Sequence, residues 1–142
     1  YNPIVLGLAD LPFPVVAAIN GPCVGAGLGF AMTCDLRIAA AGLKFSTAFV
    51  GIGLTADSGL SASLAHAVGV PRAKELLLLN ETFTAEDAAN WGLVRSVVPA
   101  EEVLPAALEL ARSSAAGATK AYAEVKRGVH RGAMSDLPTV LA

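Results

Sequence analysis

No run of apolar residues in this 142-residue chain approaches the ~18 that a membrane-spanning helix requires, because glycines, prolines and charges interrupt each one. Basic residues are few, 10 against 12 acidic ones, and a net charge of −2 argues against nucleic acid as a partner. Cysteine is scarce: Cys23 and Cys34 stand in apolar surroundings without metal-type spacing, so they are expected to be free core thiols rather than ligands or a disulfide. No targeting segment is visible at Tyr1, which leaves export unsupported and a cytoplasmic location expected. Charged residues make up only 15% of the chain against 54% hydrophobic. So apolar a composition in so short a chain implies extensive burial, subunit contacts or missing chain.

What is present is organised around Pro14 to Asp35, PVVAAINGPCVGAGLGFAMTCD. Pro14-Val15-Val16-Ala17-Ala18-Ile19 is an apolar, partly β-branched run of strand length, as expected of a strand buried on both faces. Asn20, Gly21 and Pro22 turn the chain. Cys23 and Val24 then lead to Gly25-Ala26-Gly27-Leu28-Gly29, and Phe30-Ala31-Met32 reads as a buried helix.

The glycine cluster admits three readings. Small residues can serve close packing alone. A phosphate loop is disfavoured, since the G-x-G-x-x-G pattern begun at Gly25 and Gly27 meets Phe30 where the third glycine belongs, and no G-K-[ST] follows. The third is an oxyanion hole: the Ala26 amide, free at a helix N-terminus, donates to a carbonyl oxygen as it gains charge.

Further along, helical spacing of Ile4, Val5 and Leu8 predicts a helix from Asn2 to Ala9, ended by Leu11-Pro12-Phe13-Pro14. Asp35–Ala41 and Lys44–Ser46 read as strands about a turn at Gly42, and Val94–Val98 as another. Phe49–Leu60 is expected to be irregular, leading into a helix that starts near Asp57 or Ser58 and runs to Val68. Gly69-Val70-Pro71 breaks it before Arg72–Leu79 resumes. Thr84 with Glu86 and Asp87 signals an N-cap, opening a helix that closes at Trp91-Gly92. Helices from Glu101 to Ser114 and from Ala118 to about Val129 complete the pattern. Trp91 reads as an anchor between helices, and His66 as a surface or interface group. Lys126–Arg131, which includes His130, reads as a solvated basic face, with contact to coenzyme A phosphates of a neighbouring subunit as the alternative.

The stretch from Pro14 to Ala40, continued by KFSTAFVGIGLTADSGLSASLAHAVGVPRAKELLLLNETFTAEDAANWGLVRSVVP, resembles the crotonase superfamily of enoyl-CoA hydratases and isomerases. YNPIVLGLADLPFPVV and GLTADSGL are most similar to the branch containing the 1,2-epoxyphenylacetyl-CoA isomerases. The resemblance implies an α/β fold, the ClpP/crotonase spiral of ββα units, with residues 1–98 forming the C-terminal portion of the spiral core and 99–142 an incomplete helical oligomerisation region. It further implies an N-terminal region before Tyr1 that supplies a second oxyanion donor and most contacts to the CoA adenine. It implies a trimer or hexamer with no metal and no redox cofactor, coenzyme A being part of the substrate, and the branch likeness points to phenylacetate catabolism.

In hydratases of this superfamily two glutamates position water at the double bond, and the resemblance puts them at Gly29 and Phe49 here. Neither side chain can move a proton, so hydration by that route is not expected. The isomerase branch instead places its base at the position of Asp57. Asp57 as proton shuttle and Ala26 as oxyanion donor are therefore the candidate catalytic groups, with Val24, Gly25, Gly27, Phe49 and Leu54 lining the acyl-CoA. Phe49, Leu54 and Leu60 are placed to make the surroundings apolar. Asp57 also suits a plain helix N-cap. The alternatives are another thioester reaction within the superfamily, or a paralogue that binds acyl-CoA without catalysis.

Overall fold

The computed structural model describes residues 1–141. Six strands form two small sheets. The chain runs α1 (Asn2–Ala9), β1 (Val16–Ile19), β2 (Cys23–Val24), α2 (Ala26–Thr33), β3 (Leu36–Ala40), β4 (Lys44–Ser46), a 3-10 turn (Val50–Ile52), α3 (Leu60–Leu79), β5 (Phe83–Thr84), α4 (Ala85–Asn90), β6 (Ser96–Val98), α5 (Ala100–Ala115), α6 (Thr119–Met134) and α7 (Leu137–Leu141).

One sheet has the order β1-β3-β6 and the other β2-β4-β5. Each ββα unit places its first strand in one sheet and its second in the other: β1 pairs with β3 in parallel and β2 with β4 in parallel, with α2 between the two units. This is the spiral repeat that the resemblance implies. β2 lies in what the sequence reads as a loop, and β5 was not anticipated; two-residue strands carry no detectable alternation. β1 corrects a further expectation. It borders the sheet, pairing only with β3, and Ala18 is exposed while Ile19 is buried, so the apolar run does not correspond to a strand covered on both faces.

The main core gathers Leu28 and Met32 of α2, Ala39 of β3, Phe45 of β4, Leu60, Leu64 and Leu76 of α3, and Leu93. Alternation along β3 turns Ile38 and Ala40 to the opposite face, which α5 covers with Val103 and Ala107. Phe45 stacks on Phe83, and Phe83 meets Trp91, whose ring lies 4.8 Å from the Arg72 guanidinium. Trp91 thereby joins α3 to β5 and α4, the anchoring expected of it.

The ends of elements follow local chemistry. Gly69 adopts φ 78° and bends α3 ahead of Pro71, so the break expected there is a kink between two helical halves. Thr84 and Asp87 form a complete capping box at α4. α6 extends past Val129 to Met134, and α7 follows. The basic segment is not uniformly solvated: Lys126 ion-pairs with Asp35 at 2.8 Å and donates to the Phe13 carbonyl, whereas His130 and Arg131 are exposed. Asp35 in turn accepts from the Val15 amide at 2.7 Å, tying α6 to the entrance of β1.

Thr84→Ala is expected to lower stability by about 1 kcal/mol in urea denaturation, the ordinary worth of a helix cap. The Thr84 amide and hydroxyl hold the Asp87 carboxyl below the usual carboxylate range. The stability linked to that depression is fully present above about pH 4 and is lost as pH falls through the lowered value, so acid titration of the variant should show a shallower loss than the parent.

Candidate active site

The site is built from the entrance of α2 outward. Gly25 caps this helix with φ 54° and ψ −122°, a conformation reserved for glycine, and so swings the chain from β2 into the helix axis. Its amide donates to the Ser46 carbonyl and its own carbonyl accepts from Gly29, which fixes the first turn at both ends. The amides of Ala26 and Gly27 are the first two of the helix and have no intramolecular acceptor among the described residues. Nothing lies within 4 Å of where a Cβ on Gly27 would be. Two N–H groups at the positive end of a helix are thus left without a partner among the described residues, an arrangement suited to a negatively charged oxygen.

Two of the expected lining residues, Val24 and Phe49, adjoin Gly25, and Leu54 is linked to Phe49. Val24 is 42% exposed and pairs with Ser46, next to Gly25. The half-buried Phe49 ring stands 3.7 Å from the position of a Cβ on Gly25. Leu54 donates its amide to the Phe49 carbonyl, closing the turn, with its side chain 55% exposed. Leu60 does not join them. It is fully buried in the core, because the helix it opens turns that position inward.

Asp57 lies outside α3, two residues before the capping position held by Gly59, and its carboxylate makes no cap bond. The helix therefore starts later than the sequence suggests, and a capping role for Asp57 is not realised. The residue is exposed, and its Oδ1 accepts a 2.8 Å hydrogen bond from the hydroxyl of Ser58. Ser58 is 2% exposed and has φ 53°, unusual for a residue with a side chain. It is wedged against α2: a Cβ on Gly29 would lie 2.6 Å from the Ser58 Cβ. Gly29 is one helical turn from Ala26, so this contact docks the Asp57 segment onto the helix that carries the free amides.

The same contact explains the absence of an acid at Gly29. Any side chain there displaces Ser58, and the second position is filled by the Phe49 ring. The signals that sequence reasoning missed were Ser58, whose significance lies in its backbone conformation, and Asn80, which adopts φ 55° at the end of α3. The Asn80 carboxamide stands 3.4 Å from the hydroxyls of Ser46 and Thr47 and so supports the strand and turn leading to Phe49.

The opposite end of α2 is chemically distinct. Arg37 donates to the carbonyls of Ala31, Cys34 and Leu93, satisfying the helix C-terminus with a cation, and burial lowers its pKa. Cys23 is a free, buried thiol whose pKa burial pushes up to about 11, in agreement with an inert core cysteine. Cys34 is also free but only half-buried, at the helix end rather than in the core. Beyond it a cleft of about 510 Å³ opens between α3 and α6, with His66 and His130 on its walls. A second groove, of about 380 Å³, runs between α1, β1 and α2 past Leu8, Ile19 and Phe30 to Gly27.

Helix-terminal amides without partners among the described residues thus stand on a spiral of ββα units, with a carboxylate-bearing segment docked one turn away. The chain matches the enoyl-CoA hydratase/isomerase family over residues 2–142, and it belongs to that family. It is 38% identical over 141 residues to the 1,2-epoxyphenylacetyl-CoA isomerase of Escherichia coli, covering 99% of this chain and 54% of that protein. It is 36% identical over the same length to the short-chain-enoyl-CoA hydratase of Clostridium acetobutylicum, with the same shares covered. Among solved structures, an enoyl-CoA hydratase/isomerase from Mycobacterium abscessus superposes with a TM-score of 0.95 at 48% identity, covering 99% of this chain and 54% of the other. The chain spans about half the length of the curated relatives it matches. The crotonase-like fold and the family expected from the sequence are thus shown. No helix among the described residues is long and apolar enough to cross a membrane.

Gly29→Ala is expected to destabilise the protein by about 1–3 kcal/mol through overpacking against Ser58, measured by thermal or urea denaturation. Gly27→Ala, which meets open space, serves as the comparison. Equal stability of the two variants would refute the tight contact.

Proposed function

We propose that this chain belongs to an acyl-CoA double-bond isomerase in which Asp57 carries the proton and the Ala26 amide holds the thioester oxygen. Bound as a 3-enoyl-CoA, the substrate places its carbonyl at the entrance of α2. Asp57 removes a proton from C2, the electrons shift so that the thioester oxygen carries dienolate charge, and the same carboxyl returns the proton to C4, leaving the conjugated 2-enoyl-CoA. No atom is gained or lost. The amide contributes because its bond strengthens as the oxygen becomes negative; one such donor is typically worth roughly 2.7–4 kcal/mol in the transition state.

The observation that carries this reading is the pairing of Gly29 with Ser58. Hydration in this superfamily needs a carboxylate where the glycine stands, and the wedge leaves that position no room for one. Val24, Gly25, Gly27, Phe49 and Leu54 form the proposed acyl-CoA surface, and the groove reaching Gly27 is lined largely by apolar groups suited to a hydrocarbon tail. The E. coli relative named as 1,2-epoxyphenylacetyl-CoA isomerase supports the isomerase side and an aromatic acyl group; the Clostridium relative named as a hydratase supports the other. Coenzyme A is part of the substrate. The working form is a cytoplasmic homo-oligomer, a trimer or hexamer, in keeping with the exposed Leu104, Leu108 and Met134.

Asp57→Asn in the full-length protein is expected to reduce isomerisation of a 3-enoyl-CoA at least about 100-fold, followed by ultraviolet absorbance, while acyl-CoA binding persists. Retained isomerisation would refute the assignment. Crotonyl-CoA hydration by the unmodified protein is expected to be negligible, and appreciable turnover would favour the hydratase reading.

A further inference from the structure

Ser58 combines three features that seldom occur together in a small polar residue. Its side chain is buried, at 2% exposure, its φ is 53°, and its Cβ makes the closest approach of any side-chain atom to α2 at Gly29. Glycine at position 58 would adopt the same backbone without strain. The packing of this turn therefore gives no reason for a side chain here. The hydroxyl does: it donates to Oδ1 of Asp57 at 2.8 Å, and to no other group among the described residues.

We infer that Ser58 is a positioning residue that holds Oδ1 of Asp57, so that Oδ2 alone exchanges the proton with the acyl-CoA. The inference rests on the isomerase reading above and adds to it which oxygen works and what keeps it in place. Asp57 is exposed and lies on an irregular segment, so its carboxylate would otherwise turn freely about its side-chain bonds. Ser58 cannot follow such motion because it is wedged against α2. The hydrogen bond thus passes the rigid position of the oxyanion helix to the carboxylate. Its direction suits both halves of the reaction. With Asp57 ionised, Oδ1 accepts from Ser58 and Oδ2 is free to take the proton from C2. With Oδ2 protonated, Oδ1 is the carbonyl oxygen of the acid and still accepts the same bond, so nothing need rearrange before the proton is returned to C4.

The test uses Ser58→Gly and Ser58→Ala in the full-length protein, with Asp57→Asn alongside. Ser58→Gly should keep or raise the melting temperature, since glycine suits φ 53°, yet lower kcat for 3-enoyl-CoA isomerisation about 10-fold or more with KM unchanged. Ser58→Ala, which keeps the Cβ and loses only the hydroxyl, should give the same kcat loss. Wild-type kcat in both serine variants, with Asp57→Asn inactive, would overturn the positioning role and leave the isomerase reading standing. A kcat loss accompanied in both variants by a matching fall in melting temperature would also overturn it, as a structural effect. Full activity in Asp57→Asn would remove the isomerase reading itself, and the inference with it.

Discussion

The candidate site depends on the close approach of Ser58 to Gly29. An α-helix with side chains on every face keeps its neighbours at a distance; a glycine at one position lets backbone and Cβ of another segment settle against the helix itself. Here that concession docks an otherwise irregular stretch, Phe49 to Gly59, beside the helix whose first amides are free. Removing the gap would push the stretch outward. The carboxylate of Asp57 would then lose its fixed relation to α2, whatever else in the fold survived. The same contact leaves little room for a longer side chain at position 29.

The two ends of α2 are treated oppositely, and both treatments favour the proposed reaction. At the C-terminus the carbonyls meet the Arg37 guanidinium, which satisfies them and balances their partial negative charge. At the N-terminus the amides of Ala26 and Gly27 are left without partners among the described residues. A helix whose carbonyls are compensated internally and whose amides are not is a one-sided device, open to an anion at one end only. Around it the Lys126–Asp35 pair, reinforced by the Val15 amide, holds α6 to the root of β1. Each charge lies where a backbone group needs it.

Much of this was legible in the sequence. The run from Pro14 through the glycines to Met32 announced strand, turn and helix because each change of residue type has a local conformational cause, and the cap at Thr84 followed from residue type, its reciprocal bond with Asp87 being what the structure adds. Asp57 was marked by the resemblance to the isomerase branch, which places its base at that position. What was not legible was tertiary. Whether β1 is covered on one face or two depends on which elements pack over it, and no feature of Val16–Ile19 specifies that. Leu60 and Leu54 are chemically identical, yet one is fully buried and the other exposed, since helix phase and turn geometry separate them. A positive φ in serine leaves no mark on composition or periodicity at Ser58, and the Arg37 bond to the Leu93 carbonyl joins residues far apart along the chain.

The connections from β1 to β2 and from β3 to β4, Asn20–Pro22 and Ala41–Leu43, are each three residues long. Both cross from one sheet to the other, and the two sheets advance side by side, so these links act as rungs of equal length between two rails. Inserting a residue in one rung would slide a strand against its sheet while its mate in the other sheet stayed put. The lengths of these two links are therefore tied to each other through the sheets they join.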